Sequence, residues 1–258
     1  MKRLAMIPLL LLPLLAQTPA PKAAVPSDPV KALKFPALRD VVIPKPEVFR
    51  LPNGMKVYLL EDHELPTVRG VALVRTGGLY DPPGKTGLAS LAGMVLRSGG
   101  TKAKTGDQLD EQLENIAASV ESSVSDAVGT VSFNCLKENT GEVLKVFHDL
   151  MMQPGLRQDK LDLAKKQFRS SIARRNDSPG GIAAREFSNT IYGKDTPYGR
   201  EVEYATVDAI DRADLVNFHQ RYYFPSNVML AVYGDFLTGE MRAKLRELFA
   251  DWVVEQQP

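Results

Sequence analysis

Histidine and cysteine are scarce in this chain, and their scarcity limits its chemistry before any motif is sought. The single cysteine, Cys135, leaves no internal disulfide. It lies in the apolar run VSFNCL and is expected to be a core thiol rather than a nucleophile. The three histidines, His63, His148 and His219, sit in DHELP, VFHDL and NFHQRYY, and none has a second His or a Cys at ligand spacing. Surface or structural roles are therefore expected for all three. G-x-S-x-G, P-loop and dinucleotide fingerprints are absent. An excess of either charge is lacking too: 32 Lys and Arg against 31 Asp and Glu give +1. Removal of Lys2 and Arg3 with a leader would give 1 − 2 = −1. A near-neutral chain gives no reason to expect nucleic acid or an anionic membrane as partner.

What is present begins with a leader. Met1 to Ala16 carries Lys2 and Arg3, then LAMIPLLLLPLLA, then small residues, and reads as a secretory signal peptide ending at residue 16, or as late as residue 20. Pro8, Pro13 and the short apolar core argue against a membrane span. No cysteine follows the run, so the expected destination is the periplasm or the outside, without a lipid anchor. Residues 17–46 hold seven of the eighteen prolines and are expected to form an extended arm. Residues 47–258 are expected to form one domain.

Within it, Val48 to Leu51 and Met55 to Glu61 flank Pro52-Asn53-Gly54, the turn chemistry of a hairpin. Strands are expected at Val68 to Val74, Ser119 to Val124, Gly129 to Leu136 and, as a buried strand, Val228 to Tyr233. Helices are expected at Thr105 to Ile116, with a Thr105/Gln108 capping box, and at Thr140 to Met152, Leu156 to Asn176, Pro179 to Ile191, Val207 to Tyr222 and Thr238 to Phe249. Strands and helices without regular alternation indicate an α+β fold.

The most informative stretch is Gly87 to Gly100, GLASLAGMVLRSGG. Leu88, Leu91, Ala92, Val95 and Leu96 form an apolar stripe, while Ser90, Gly93, Met94 and Arg97 share the other side, which is expected to face a cavity. The stretch, its preceding strand and acidic proline-containing loop, and the ending Pro225-Ser226-Asn227 through Gly234-Asp235 resemble the insulinase-type (M16) metallopeptidases. The likeness runs from about Val48 to Trp252. It implies a mitochondrial-processing-peptidase-like domain, mainly antiparallel sheet packed against helices. In that family the helix reads GxAHxxEH, its two His binding zinc and its Glu polarising water. On the frame of Gly87-Leu88-Ala89 and Gly100-Thr101, Ser90, Gly93 and Met94 occupy those positions. A later Glu completes the family's zinc site, and the matching segment KKQFRSSIARRNDSP places Ser171 there, or Ser170 under a one-residue shift. None of these can serve as zinc ligand or base. Lys165, Lys166, Arg169, Arg174 and Arg175 make this helix basic, and their uncompensated charge argues further against a metal.

The resemblance implies that zinc is expected in the family but no cofactor here. It also places Pro258 where the family's second copy of the fold, with its substrate-contacting Arg and Tyr, begins. The leading expectation is an exported non-catalytic subunit that pairs as a heterodimer with an active M16 chain and supplies one wall of its peptide chamber. A stand-alone peptide- or protein-binding module of the envelope is the second, and metallopeptidase activity through an unconventional or partner-supplied metal site the third. M16 enzymes hold extended peptides as an added strand on an edge beside the metal helix, and the matching edge is Ser119, Val120, Glu121, Ser122, Ser123 and Val124. A plain solvated edge is the competing reading of these small polar residues. Tyr192, Tyr198, Tyr204, Tyr222 and Tyr223 form an aromatic-rich late segment suited to packing or to peptide contact.

Overall fold

The hairpin forms around Asn53-Gly54, where Gly54 takes φ +92°, a left-handed conformation that suits glycine. Strands β1 (Glu47–Arg50) and β2 (Lys56–Glu61) pair antiparallel with Arg50 opposite Lys56. Asn53 fixes this turn to the far end of the chain, donating from Nδ2 to the carbonyls of Phe249 at 2.9 Å and Trp252 at 3.2 Å. The computed structural model describes residues 43–254 and 256, with Leu33, Pro36, Leu38 and Asp40. The expected leader, residues 1–16, and most of the expected arm, residues 17–46, lie outside the described residues. The unit from Pro44 to Pro258 holds all the elements described below.

Four more strands, β3 (Thr67–Val74), β4 (Ser119–Val124), β5 (Gly129–Leu136) and β6 (Val228–Gly234), complete a six-stranded sheet in the order β1-β2-β6-β3-β5-β4. Only β2 and β6 run parallel among these neighbours; every other pair is antiparallel. Burial alternates with a period of two. Val68, Ala72 and Val74 of β3, Val131 and Cys135 of β5 and Leu230 and Val232 of β6 are buried. A strand with this alternation covers one face only.

The covering elements are α1 (Leu88–Ser98), α2 (Gly106–Glu114), α3 (Thr140–Met152), α4 (Gln158–Arg174), α5 (Pro179–Tyr192), α6 (Tyr204–Asp208), α7 (Arg212–Tyr222) and α8 (Thr238–Leu248). Leu88, Leu91, Ala92, Val95 and Leu96 of α1 all enter the core with Phe147 and Leu150 of α3 and Phe249. Full burial of such side chains contributes roughly 1.5–3 kcal/mol each. The opposite sheet face carries Tyr58, Leu60, Val71, Ala231 and Tyr233 around an apolar depression of about 530 Å³.

Two expectations need correction. The run Val207 to Tyr222 is two helices, because Asp211 caps a new start: its side chain accepts from the Asp214 amide at 2.9 Å, while the Asp214 carboxylate accepts from the Asp211 amide at 2.9 Å. Asp214 thus stands in the first turn of α7. The strand at Val228 is buried on one face alone, with Met229 45% and Tyr233 44% exposed on the other.

Candidate functional site

Helix α1 is held by groups outside its own sequence. Its N-cap, Gly87, has φ +102° and offers no side chain, so Asp81 from the preceding loop supplies the acceptors. The Asp81 carboxylate accepts from the Gly87 amide at 2.8 Å and the Ala89 amide at 2.9 Å, satisfying donors that a helix start leaves free. Asp81 is buried, and burial pushes its pKa up while those amides and the nearby Arg200 pull it down. Arg200, from the loop after α5, also donates to the Asp81 carbonyl at 2.9 Å. At the other end, the Arg157 guanidinium binds the carbonyls of Gly99 and Thr101.

The face of α1 expected to meet a cavity does so only in part. Ser90 is half-buried and Met94 is 37% exposed, but Gly93 is buried against β4. A Cβ added at Gly93 would lie 2.5 Å from the Val124 amide nitrogen and 2.9 Å from the Ser123 carbonyl carbon. The Ser122 hydroxyl closes the junction by donating to the Gly93 carbonyl at 2.6 Å. The expectation that Gly93 faces open space is therefore corrected: the absent side chain lets helix and strand touch backbone to backbone.

Ser171 lies exposed on α4, as does Ser170, and neither Ser90 nor Ser171 makes a side-chain hydrogen bond among the described residues. Among the described residues no three His, Cys, Asp or Glu side chains gather as a metal cluster would require. The groups at the four positions, two hydroxyls, a thioether and no side chain, do not fit the nitrogen, thiolate and carboxylate donors that zinc takes. The basic face of α4 is better compensated than its sequence suggests. Arg169 pairs with Asp208 at 2.9 Å and Arg175 with Glu203 at 2.8 Å, partners supplied by α6 and the loop before it.

Strand β4 is one of the two outer strands of the sheet, with β1 at the other edge, and it lies next to α1. Ser119, Glu121 and Ser123 are exposed, Val120 is buried and Ser122 is half-buried. One outward acceptor of this edge is already used, since Arg97 Nε donates to the Val120 carbonyl at 2.6 Å while its guanidinium pairs with Asp110 at 2.5 Å. Backbone direction alternates along a strand, so Ser122 presents its amide and carbonyl to the same side as Val120. Asp81 and Arg200 were not singled out in the sequence, nor was the bond that Arg97 makes to β4. The acidic loop before the helix was the one available signal, for Asp81.

The histidines play structural parts. His63 bridges Asp235 and Glu61 at the surface, and these carboxylates raise its pKa. His148 is buried beside Asp149 and Asp251. His219, stacked on Tyr223 at 4.8 Å, donates from Nε2 to the Met151 carbonyl at 2.9 Å; burial pushes its pKa down to about 4. Of the late tyrosines, Tyr223 is core, Tyr192 and Tyr198 pack on each other at 5.3 Å on the surface, and Tyr222 lines a cavity.

The fold is shared with solved peptidase structures. A peptidase M16 inactive domain from Pseudomonas fluorescens superposes with a TM-score of 0.73 at 22% identity, over 83% of this chain and 53% of that one. The periplasmic protease PqqL of Escherichia coli gives 0.71 at 18% identity, over 83% of this chain and 25% of that one. An uncharacterized zinc protease of Mycobacterium leprae is 24% identical over 210 residues, 79% of this chain and 46% of the relative. The chain thus spans about half the length of that relative. The model of the peptidase M16 inactive domain matches residues 209–258. Residues 56–206, from β2 through the capped helix α1 and the edge strand to α6, match the model of insulinase, peptidase family M16. That match takes in more than half of the sequence, and the chain belongs to the insulinase (M16) family.

Proposed function

We propose that this chain is an exported, non-catalytic M16 subunit that pairs with an active M16 zinc peptidase and forms part of its peptide chamber. The observation that carries the proposal is the junction of α1 and β4. Where the family's motif calls for a base, Gly93 has none, and the backbone of β4 fills the place a side chain would need. Ser90, Met94 and Ser171 offer no replacement donor set for zinc. The match of residues 209–258 to the inactive-domain model is compatible with a non-catalytic role. The likeness to a solved M16 inactive domain agrees with it.

The open apolar sheet face supports the chamber-wall role, and the free edge of β4 offers extended peptide a strand to pair with along Ser119, Val120, Glu121, Ser122 and Ser123. A bound strand would displace Arg97 from the Val120 carbonyl. Export rests on the leader of residues 1–16, and the likeness to a periplasmic protease agrees with it. In this reading residues 17–46 are the Pro-rich arm and 47–258 the M16-like domain.

The test is co-expression with an M16 chain that carries an intact H-x-x-E-H. A stable one-to-one complex, with zinc and peptide cleavage confined to the pair, is expected. Chelator-sensitive peptide cleavage by this chain alone would overturn the proposal.

A further inference from the structure

Beyond the end of β3, a cavity of about 490 Å³ opens between the loop leading to α1, the last turn of α7 and the start of β6. Its size falls in the range of small-ligand sites, roughly 300–1,000 Å³. Tyr80, Tyr222 and Phe224 give it aromatic walls, and Arg75 and Arg221 give it charge. Among the described residues no acidic side chain lines it.

The two arginines stand apart from most others in the chain. Arg97, Arg157, Arg175 and Arg212 are each tied to carbonyls or carboxylates. Among the described residues neither Arg75 nor Arg221 has a carboxylate partner or donates a side-chain hydrogen bond; Arg221 lies only over the Tyr222 ring, 5.6 Å from its centroid. Each guanidinium thus keeps five N–H donors for an external acceptor.

Their backbones, by contrast, are fixed. Asn227, buried at the floor, donates to the Arg75 carbonyl at 2.9 Å and the Tyr222 carbonyl at 2.8 Å. The Arg75 amide returns a bond to the Asn227 carbonyl at 3.3 Å. Gln256 donates to the Arg221 carbonyl at 3.0 Å and is itself held by the Ser226 hydroxyl at 3.0 Å. Aromatic walls with two guanidiniums that have no carboxylate partner among the described residues suit one chemistry: a carboxylate attached beside an apolar or aromatic group.

We propose that this cavity binds such a carboxylate, presented by the C-terminus of a peptide whose last residue is apolar or aromatic. The proposal rests on the peptide-binding reading above and adds which end of the peptide is held. The edge of β4 would take the extended backbone, and Arg75 and Arg221 the terminal charge.

Fluorescence anisotropy on the full chain tests it, with an unstructured peptide ending in phenylalanine, as free acid and as amide, and with hydrocinnamate as competitor. Charge-assisted bonds to two guanidiniums predict that the acid binds at least about tenfold tighter than the amide. Arg75→Gln and Arg221→Gln should each remove that preference while leaving the amide's affinity and the melting temperature unchanged. Equal binding of acid and amide overturns the proposal, as does a preference that survives the double variant. If the two bind equally and Ser122→Pro weakens both, the pocket fails and peptide capture at the edge stands. If hydrocinnamate binds in an Arg75- and Arg221-dependent way and neither peptide binds, the carboxylate site stands, the ligand is a free acid, and peptide capture fails.

Discussion

The two ends of α1 and its middle have been treated oppositely. At the ends side chains from other segments supply partners: Asp81 takes the Gly87 and Ala89 amides, and Arg157 takes the Gly99 and Thr101 carbonyls. In the middle, Ser90, Gly93 and Met94 carry no charge and no titratable group, and the one buried position is filled by the backbone of β4. The contrast teaches that the anchoring of the helix depends on neither a metal nor a catalytic base, as the proposed non-catalytic role requires.

Four changes break or sharpen this contrast. The largest effect is expected at the anchor: Asp81→Ala strands two amides at a buried helix start and should cost about 3 kcal/mol, read as the urea midpoint. A value below about 0.5 kcal/mol would mean that the anchor is ornamental. Acid should then loosen the layer behind α1, through His219 on α7. Its folded pKa of about 4 lies below the unfolded value of roughly 6.5, so the unfolded chain takes up the proton first. Stability falls as pH drops from about 6.5 to about 4, by on the order of 3 kcal/mol, and that contribution is level beyond either end. His219→Gln should flatten this window in melts taken across pH, and an unchanged slope would exclude His219 as its source.

Gly93→Ala comes third and is decided by sign. In an open helix interior the change would stabilise by up to about 1 kcal/mol. Against the β4 backbone the added methyl should instead destabilise by about 1–2 kcal/mol. A stabilised variant would place a gap at the junction. Last comes Ser122→Pro, which removes one outward amide from the edge and the hydroxyl bond to the Gly93 carbonyl, but no ladder bond. It should weaken peptide or partner binding several-fold, as measured by calorimetry, while the protein still folds; unchanged binding would move the captured strand elsewhere.

Much of the frame could be read in the sequence because its signals are local. Asn53-Gly54 between alternating runs, the Thr105/Gln108 box and the stripe Leu88, Leu91, Ala92, Val95 and Leu96 each declare themselves within a dozen residues, and each stands where expected. The helix break at Asp211 was hidden because the apolar period continues through it. Longer-range facts were out of reach: that Gly93 touches Val124, that Arg97 plugs the Val120 carbonyl, and that Arg169 finds Asp208 all depend on segments that meet only once the chain has folded. For the same reason no pattern in the sequence joins Arg75 to Arg221.

The same closure at Gly93 bears on any attempt to restore the motif. Ser90→His, Gly93→Glu, Met94→His and Ser171→Glu together would supply donors and a base, yet the Glu side chain can be placed only if α1 moves off β4. The restored chain should therefore be less stable than its parent, and activity would depend on that movement.

The central claim, that α1 serves as a strut without metal chemistry, is tested most directly by elemental analysis of the purified chain alongside a peptide-cleavage assay. The account predicts zinc far below one per chain and no cleavage of an unstructured peptide. About one tightly held zinc per chain, lost to a chelator together with cleavage, would contradict it.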